Sequence, residues 1–389
     1  MNLYGRDQKL MVESLYPDRA VEYGEVLSAL GRFMQEKILP LSPAFDTHAD
    51  SIGRARSELL KNGLLQIAHP KEYGGLGLPF SVYNLAIEML GAADASIALS
   101  VGIGNTVAEG IRMFGTESQK RRFLTRLISG EILGAFSLTE PSSGSDAKAA
   151  KTRARREGDE YVLNGSKMFI TNAGEADLYF VFAIAEKGPA CFLVEKDARG
   201  LSIGEDLAKM GMRGSRTSEV RFLDCRVPAA NLVGEEGRGF DYVKAMLNGS
   251  RIVMGSICVG IAQIAYEKAL VYSKQRTAFG RSISEFQLTR EKIADMKTRV
   301  TAGRLMCQYA SMLRDAGVDF SSEASQAKVF ATEMSVGVCD DAIQIFGGYG
   351  YTTDDVHRHW RDARLLTIGE GTSEVLRMLI ASRELARSL

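Results

Sequence analysis

Cysteine is sparse and dispersed: Cys191, Cys225, Cys258, Cys307 and Cys339 are the only five in 389 residues, and no two form a CxxC pair. An odd, scattered set excludes a disulfide framework or zinc site and fits a reducing compartment. Histidine is scarcer still. Of His48, His69, His357 and His359, only the last two are close, and residues two apart do not share a helix face. Charge of one sign is also missing, since 48 basic side chains balance 48 acidic ones. Neither nucleic acid nor an anionic membrane is expected as a partner. The uncharged run from Ile252 to Tyr266 is too short and too rich in Gly and Ser to span a bilayer. The opening MNLYGRDQKLMVESLYP has no apolar core and no Arg/Ser-rich leader. The expected location is the bacterial cytoplasm, or the mitochondrial matrix if a transit peptide has been removed. GK never occurs and no GxGxxG follows a strand, which excludes phosphate cradles of the Walker and Rossmann kinds.

What remains is an ordinary globular composition, 45% hydrophobic and 25% charged. The length predicts two to three domains. Up to about residue 129 apolar residues recur at helical spacing over Glu25–Leu39, Ile52–Lys61, Val82–Ala93 and Val107–Met113. Breaks fall at Pro40, Pro43, Pro70, the Gly74–Pro79 run and Gly115. Thr116 with Gln119 reads as a capping box. From 130 to 236 short segments rich in β-branched and aromatic residues follow one another: 161–163, 167–170, 178–184, 190–194, 201–203 and 219–222. With no helices between them they predict an antiparallel sandwich or barrel. From 237 to 389 helical periodicity returns over 243–273, 284–316 and 322–346, with a last helix from about Thr372, as in a four-helix bundle. The fold class is α+β, mostly α: an N-terminal helical domain (1–129), a small central β domain (130–236) and a C-terminal helical bundle (237–389).

Several motifs carry no chemistry. Gly200-Leu-Ser-Ile-Gly204 matches GxSxG, but a nucleophile elbow needs a strand–turn–helix, and Ser202 reads as a strand residue. The cluster Lys148, Lys151, Arg153, Arg155 and Arg156 lacks interleaved aromatics and reads as a solvated strand edge.

Two segments differ. Phe136-Ser-Leu-Thr-Glu-Pro-Ser-Ser-Gly-Ser-Asp146 is dense in hydroxyls and turn formers, suited to present N–H groups and hydroxyls to a flat ring or a pyrophosphate. Lys167-Met-Phe-Ile-Thr-Asn172 follows it. Near the C-terminus stand Gln344-Ile-Phe-Gly-Gly-Tyr-Gly350, Arg361-Asp-Ala-Arg364 and Ile368-Gly-Glu-Gly-Thr-Ser-Glu374. A Glu between two glycines can approach a substrate closely, or can simply face a helix dipole.

In these motifs, in this order, together with Arg276-Thr-Ala-Phe-Gly280, the chain resembles the acyl-CoA dehydrogenase family of FAD-dependent flavoproteins, over nearly its whole length. The resemblance implies that Phe136, Leu138 and Thr139 form the first flavin loop, with Gly144 and Ser145 at the cofactor phosphates or the CoA chain. It places Phe169 on the flavin and Thr171 near its N5. Arg276, Phe279, Gln344 and Gly348 match positions that grip the adenine half of FAD across a subunit boundary, implying a homo-oligomer, expected to be a tetramer. Thr372 and Glu374 match FAD contacts, and Glu370 matches the catalytic base. A carboxylate is too weak a base in water, but desolvation raises its pKa towards that of the task. The backbone N–H of Glu370 would stabilise the developing enolate, and Gly369 and Gly371 let that backbone come near the substrate.

The implied reaction is α,β-dehydrogenation of an acyl-CoA to the trans-2-enoyl-CoA, with electrons passed to an electron-transferring flavoprotein. Some relatives carry the base as a Glu before the Arg of the segment that here reads Leu247-Asn-Gly-Ser-Arg251; Ser250 in that place favours Glu370. Asn248 stands where many relatives have Asp at the CoA contact. Arg251 matches a substrate-side Arg, with a structural ion pair as the competing reading. Gly369 replaces a bulky Tyr, which either widens the pocket for a short, branched, cyclic or aryl-bearing acyl group or only makes a turn. Asp94, in GAADASIALS, is either a second carboxylate on the helix bordering the acyl pocket or part of a common run. The rivals are an oxygen-reactive oxidase of the same superfamily and a colourless, non-catalytic scaffold.

Overall fold

The computed structural model describes residues 3–47, 52–352 and 356–386; His48 lies outside them. Among the described residues ten helices have ten or more residues: α1 (Arg6–Leu15), α2 (Ala20–Phe33), α3 (Ile52–Lys61), α4 (Phe80–Ala93), α5 (Ala95–Phe114), α6 (Gly239–Gln275), α7 (Gln287–Asp315), α8 (Ser321–Phe346), α9 (Val356–Leu366) and α10 (Ser373–Ala386). Between α5 and α6 run β1 (Gly134–Ser137), β2 (Arg153–Glu157), β3 (Glu160–Thr171), β4 (Leu178–Ala185), β5 (Gly188–Glu195), β6 (Leu201–Asp206), β7 (Thr217–Pro228) and β8 (Leu232–Val233). A small hairpin, β9 (Thr277–Ala278) and β10 (Arg281–Ser282), follows α6.

The helical–β–helical order is as expected, but three readings need correction. The helix read at Val107–Met113 is the end of the longer α5. Its first three turns, Ala-Ser-Ile-Ala-Leu-Ser-Val-Gly-Ile-Gly-Asn-Thr, are buried all round. A helix with no wet face has no polar period to detect. Helices α1 and α9, rich in charge, were not expected at all. The basic cluster is not on a sheet edge: β2 lies between β3 and β4, Arg153 and Arg155 project together from one face, and Arg156, on the Ala154 face near the strand's end, reaches over the Tyr161 ring. The Thr116–Gln119 capping box forms in both directions, at 3.2 and 3.0 Å. Ser202 lies in β6, away from any strand–helix turn.

The sheet runs β6-β7-β3-β2-β4-β5-β8, with β1 added in parallel to β4. Pairing is antiparallel except for β1–β4 and the single β2–β4 bridge, Arg153 to Ile184. The sheet curls over its own small core. Tyr161 of β3 meets Phe192 of β5 with ring centroids 4.9 Å apart, and Leu163, Val181, Val194, Val220 and Phe222 fill the space around them. Its other face, with Phe136, Phe180, Phe182 and Leu193, joins the helical core. That alternation of two buried faces explains why β4 and β5 read as continuous apolar runs.

Helix α6 is the spine. By length and composition it could cross a membrane, but its apolar window is mostly buried against α4, α5, α7 and α8. It crosses α4 through Gly260 and Gly91, where a Cβ on Gly260 would lie 2.1 Å from the Glu88 carbonyl oxygen. Pro79 cannot cap α4, so Asp315 at the end of α7 accepts the Phe80 and Ser81 N–H groups at 2.7 and 3.0 Å. A long-range contact thus satisfies donors that a local cap would normally take.

Candidate active site

The TEPSSGSD loop and the KMFITN strand are bolted together. Glu140, buried, accepts from the Lys151 and Thr152 N–H groups at 2.6 and 3.0 Å and from Lys167 Nζ at 2.7 Å. Lys167, fully buried, also donates to the Leu138 carbonyl at 3.1 Å, and the Met168 N–H donates to the Thr139 carbonyl at 2.8 Å. Burial pushes the Glu140 carboxyl up, but Lys167 and the N–H donors outweigh it and hold it down at about 2. Burial holds the Lys167 ammonium below its ordinary value against the pull of Glu140.

Directly after Lys167 the β3–β7 register breaks, and Phe169 adopts φ +60°. A bulky residue at positive φ is a strained conformation that its surroundings must enforce. The result turns Phe169 outwards, 63% exposed, while Ile170 stays in the core. Thr171, half-buried, closes β3 opposite Thr217. Asn172 follows at φ +70° and ties the strand end to α5 and to the start of β1. Its amide donates to the Ser100 and Gly134 carbonyls at 2.9 and 3.0 Å, and its oxygen accepts from the Ser100 hydroxyl at 2.6 Å. Phe136 packs on Phe180, Leu138 and Thr139 are half-buried, and the Ser137 hydroxyl is buried with no partner. Gly144 and Ser145 are exposed at the loop tip, with open space where a Gly144 side chain would stand. A solvent-facing aromatic, an unpartnered buried hydroxyl and an open glycine make a shelf that fits a flat heterocycle and its phosphate tail.

The second half lies between α9 and α10. Glu370 has φ +58° and Gly371 has φ +97°, so the loop turns left-handed at the carboxylate. The half-buried Glu370 has one carboxylate oxygen, Oε2, enclosed without a hydrogen-bond partner. Burial raises its pKa, and Ser250, Arg251 and Lys328 oppose the rise. Ser250 touches the Thr106 hydroxyl at 3.2 Å. Arg251, buried, donates from Nη1 to Asn248 Oδ1 at 2.9 Å, leaves Nε unpartnered, and forms no ion pair within 4.0 Å among the described residues, its charge lying towards Glu370. A Cβ on Gly369 would meet nothing closer than the Leu365 carbonyl oxygen, 3.9 Å away. Thr372 caps α10 and Glu374 sits in its first turn. It is therefore Glu374 that faces the helix dipole, and both residues border a cleft of about 320 Å³ with Val336, Arg364 and Ile368.

The remaining expected residues are placed elsewhere. Arg276 lies over the Tyr349 ring at 5.9 Å; Phe279, at φ +51°, is 96% exposed; Gln344 and Gly348 are exposed at and just beyond the end of α8. Asp94 is not within a helix but in the one-residue joint between α4 and α5. It caps α5 through the Ile97 N–H at 2.8 Å, accepts from the Ser42 hydroxyl, and lies 3.5 Å from Arg358. Its buried carboxylate is fully occupied by that cluster. His359 faces Lys268 at 3.1 Å, and no metal-binding group of His, Cys, Asp or Glu exists among the described residues.

Family models for the acyl-CoA dehydrogenase N-terminal, middle and C-terminal domains match residues 22–131, 135–225 and 237–385. The chain belongs to the acyl-CoA dehydrogenase family. It is 43% identical to the "Probable acyl-CoA dehydrogenase YngJ" of Bacillus subtilis, over 86% of this chain and 91% of that one. It is similar in structure to butyryl-CoA dehydrogenase from Megasphaera elsdenii, with TM-score 0.89 and 38% identity, covering 93% and 98% of the two chains. A structure described as the electron transferring flavoprotein of Acidaminococcus fermentans matches with TM-score 0.92 and 40% identity, covering 94% and 98%. The family's cofactor is FAD, and the shelf described above fits it.

Three features of this dehydrogenase went unread in its sequence: the Glu140–Lys167 pair, the Asn172 anchor and Lys328. The first two lie inside the motifs themselves. Lys328 left a weaker signal, a lone cation between Ala327 and Val329 in a stretch that α8 buries on nearly every side.

Proposed function

We propose that this enzyme dehydrogenates a short acyl-CoA at the α,β positions, with Glu370 as the base. The observation that carries the reading is the Glu370 carboxylate: enclosed, partnerless at Oε2 and held on a left-handed turn between two glycines. Desolvation makes it a stronger base than a wet carboxylate. The Ser250 hydroxyl, Arg251 and Lys328 oppose that rise in its pKa. Glu370 takes the α proton of the thioester, and its backbone N–H, freed for close approach by Gly369 and Gly371, steadies the oxygen that gains charge. Bound FAD supplies the two-electron acceptor for the β hydrogen. Phe136, Leu138, Thr139, Phe169 and Thr171 would hold its ring, and Gly144 and Ser145 the phosphates or the CoA chain. Arg276, Phe279, Gln344, Gly348, Thr372 and Glu374 would serve the adenine half, the exposed Phe279 and its neighbours being covered in a homotetramer.

Two features support a short acyl group substituted near the reacting carbons. Behind Glu370 the α5–α6 seam is tight: a Cβ on Gly102 would lie 3.0 Å from Val253 Cγ1 and 3.3 Å from Met254 Cε, which leaves little depth for a long chain. Beside Glu370 the open Gly369 leaves lateral room for a branch or ring. Similarity to a structure described as an electron transferring flavoprotein supports electron delivery to such a protein.

The test is anaerobic bleaching of the bound flavin by a panel of straight, branched, cyclic and aryl acyl-CoAs. Glu370→Gln is expected to retain FAD and bind the thioester but lose at least about 10³-fold in bleaching rate. Bleaching at an undiminished rate places the base elsewhere. Rapid reoxidation with peroxide release on aeration of the reduced enzyme would show an oxidase.

A further inference from the structure

Lys328 has no place in the reading above beyond its charge, yet its setting is unusual. Its side chain is fully buried in α8, and its Nζ donates one hydrogen bond, 2.6 Å long, to the carbonyl of Gly371. It forms no ion pair within 4.0 Å among the described residues. The neighbouring carboxylate on its own helix, Glu333, is committed to Arg377, whose two Nη groups bind it at 2.6 and 2.7 Å. The charged and titratable groups that face Lys328 are Cys258 and Arg251 from α6, Glu333 from α8 and Glu370 from the α9–α10 loop. Those around Glu370 are Arg251 and Lys328, with the Ser250 hydroxyl. A buried amine is costly unless its charge meets something in return, and Glu370 is the carboxylate here left with an unpartnered oxygen.

We propose that Lys328 is a positioning residue for Glu370. From beneath the loop it fixes the left-handed Glu370–Gly371 backbone through the Gly371 carbonyl, and it holds positive charge behind the carboxylate so that the base stays ionised in its enclosed site. This rests on Glu370 being the base. Two consecutive residues at positive φ, one of them not glycine, need an outside restraint, and the Lys328 hydrogen bond supplies it where the chain leaves the turn. Burial lowers the Lys328 pKa to about 8, so the side chain is charged through the neutral range. A cation there favours the ionised form of Glu370 against desolvation.

The experiment compares the FAD-loaded wild type, Lys328→Met, Lys328→Gln and Glu370→Gln, using a four-carbon acyl-CoA as the probe. The rate of anaerobic flavin bleaching at saturating thioester is followed from pH 6 to 9, and amide hydrogen exchange is followed over residues 367–372. Methionine matches lysine in length but brings neither charge nor donor. Lys328→Met should move the pH limb of the base upward by about one unit, a roughly tenfold slower rate on the acid side of that limb, and the loop amides should exchange faster. Lys328→Gln, which keeps an N–H donor without charge, should share the pH shift while retaining more of the amide protection. If Lys328→Met loses FAD, Lys328→Gln carries the pH series. An unshifted limb in a variant that holds FAD, with Glu370→Gln inactive, overturns this proposal alone. Undiminished bleaching by Glu370→Gln overturns the base assignment and this proposal with it.

Discussion

The pair Glu140–Lys167 offers the sharpest test of how the cofactor shelf is built. The side chains are 3% and 0% exposed, so both charges are out of water. Removing one partner of such a pair costs about 3–5 kcal/mol, because the other charge is left stranded. In Lys167→Met the stranded carboxylate still accepts from the Lys151 and Thr152 N–H groups, which puts the loss near the lower end, about 3 kcal/mol. In Glu140→Gln the ammonium keeps the Leu138 carbonyl, the face of Phe182 at 5.7 Å and a neutral amide, but no carboxylate, and the loss rises to about 4 kcal/mol. The double variant removes both charges at once and should cost less than the sum, by about 2 kcal/mol of coupling. Urea unfolding of the four holoenzymes, followed by circular dichroism and by flavin fluorescence, measures the cycle. FAD should also dissociate faster from each single variant, since the pair joins the Leu138–Thr139 segment to the strand bearing Phe169. The pH dependence has a definite sign. Glu140 is held down from 4.5 to about 2, so its contribution is complete above pH 4.5 and is lost as pH falls towards 2. That acid limb should shrink in Lys167→Met. Additivity of the two single variants to within about 0.5 kcal/mol, or unaltered FAD retention, would refute the clamp.

Other outcomes follow from the same geometry. Gly369→Tyr should spare straight four-carbon thioesters and cut kcat/KM for branched or cyclic ones at least about tenfold, a change worth ~1.4 kcal/mol; equal loss for all substrates would mean that Gly369 serves only the turn. Asp362 is buried beside Arg358 and Asp94 and accepts the Met212 N–H, and desolvation pushes its carboxyl up to about 7. A raised carboxyl pKa means that the folded state binds the extra proton, so its contribution to stability declines as pH rises from about 4 to 7. Asp362→Asn should flatten that part of the stability–pH curve, measured as Tm; an unchanged slope would assign the effect elsewhere.

How much could be read in advance depended on whether a residue's environment leaves a period in the chain. Helix α7 shows Met296, Val300 and Cys307 at helical intervals because its other face is wet, and its bounds were close. The start of α5 shows nothing, because every face is buried. Strands β1, β2 and β8 are five residues or shorter, too brief for alternation to register. In the site, Glu370 and the hydroxyl-rich loop stand out by residue type and order. Lys167 and Lys328 do not. An isolated lysine reads as solvated until the fold shows what encloses it, and both are enclosed by elements distant in sequence. Asp94 stood open in sequence between an acyl-pocket carboxylate and part of a common run; the fold makes it the N-cap of α5 with Arg358 beside it.

Helix α6 spans 37 residues, about 55 Å at 1.5 Å per residue. At one end Gly239 lies so close to Ala190 of β5 that a Cβ would stand 2.6 Å from its backbone nitrogen; further along Gly260 does the same against α4. Between them the helix carries Ser250 and Arg251 beneath Glu370. Seated on the sheet at its start and on α4 past its middle, this one rod joins the β domain to the helices with no break between them, so a jaw-like domain closure on substrate is not expected. Entry and release are then expected to fall to the side chains and loops around the cleft.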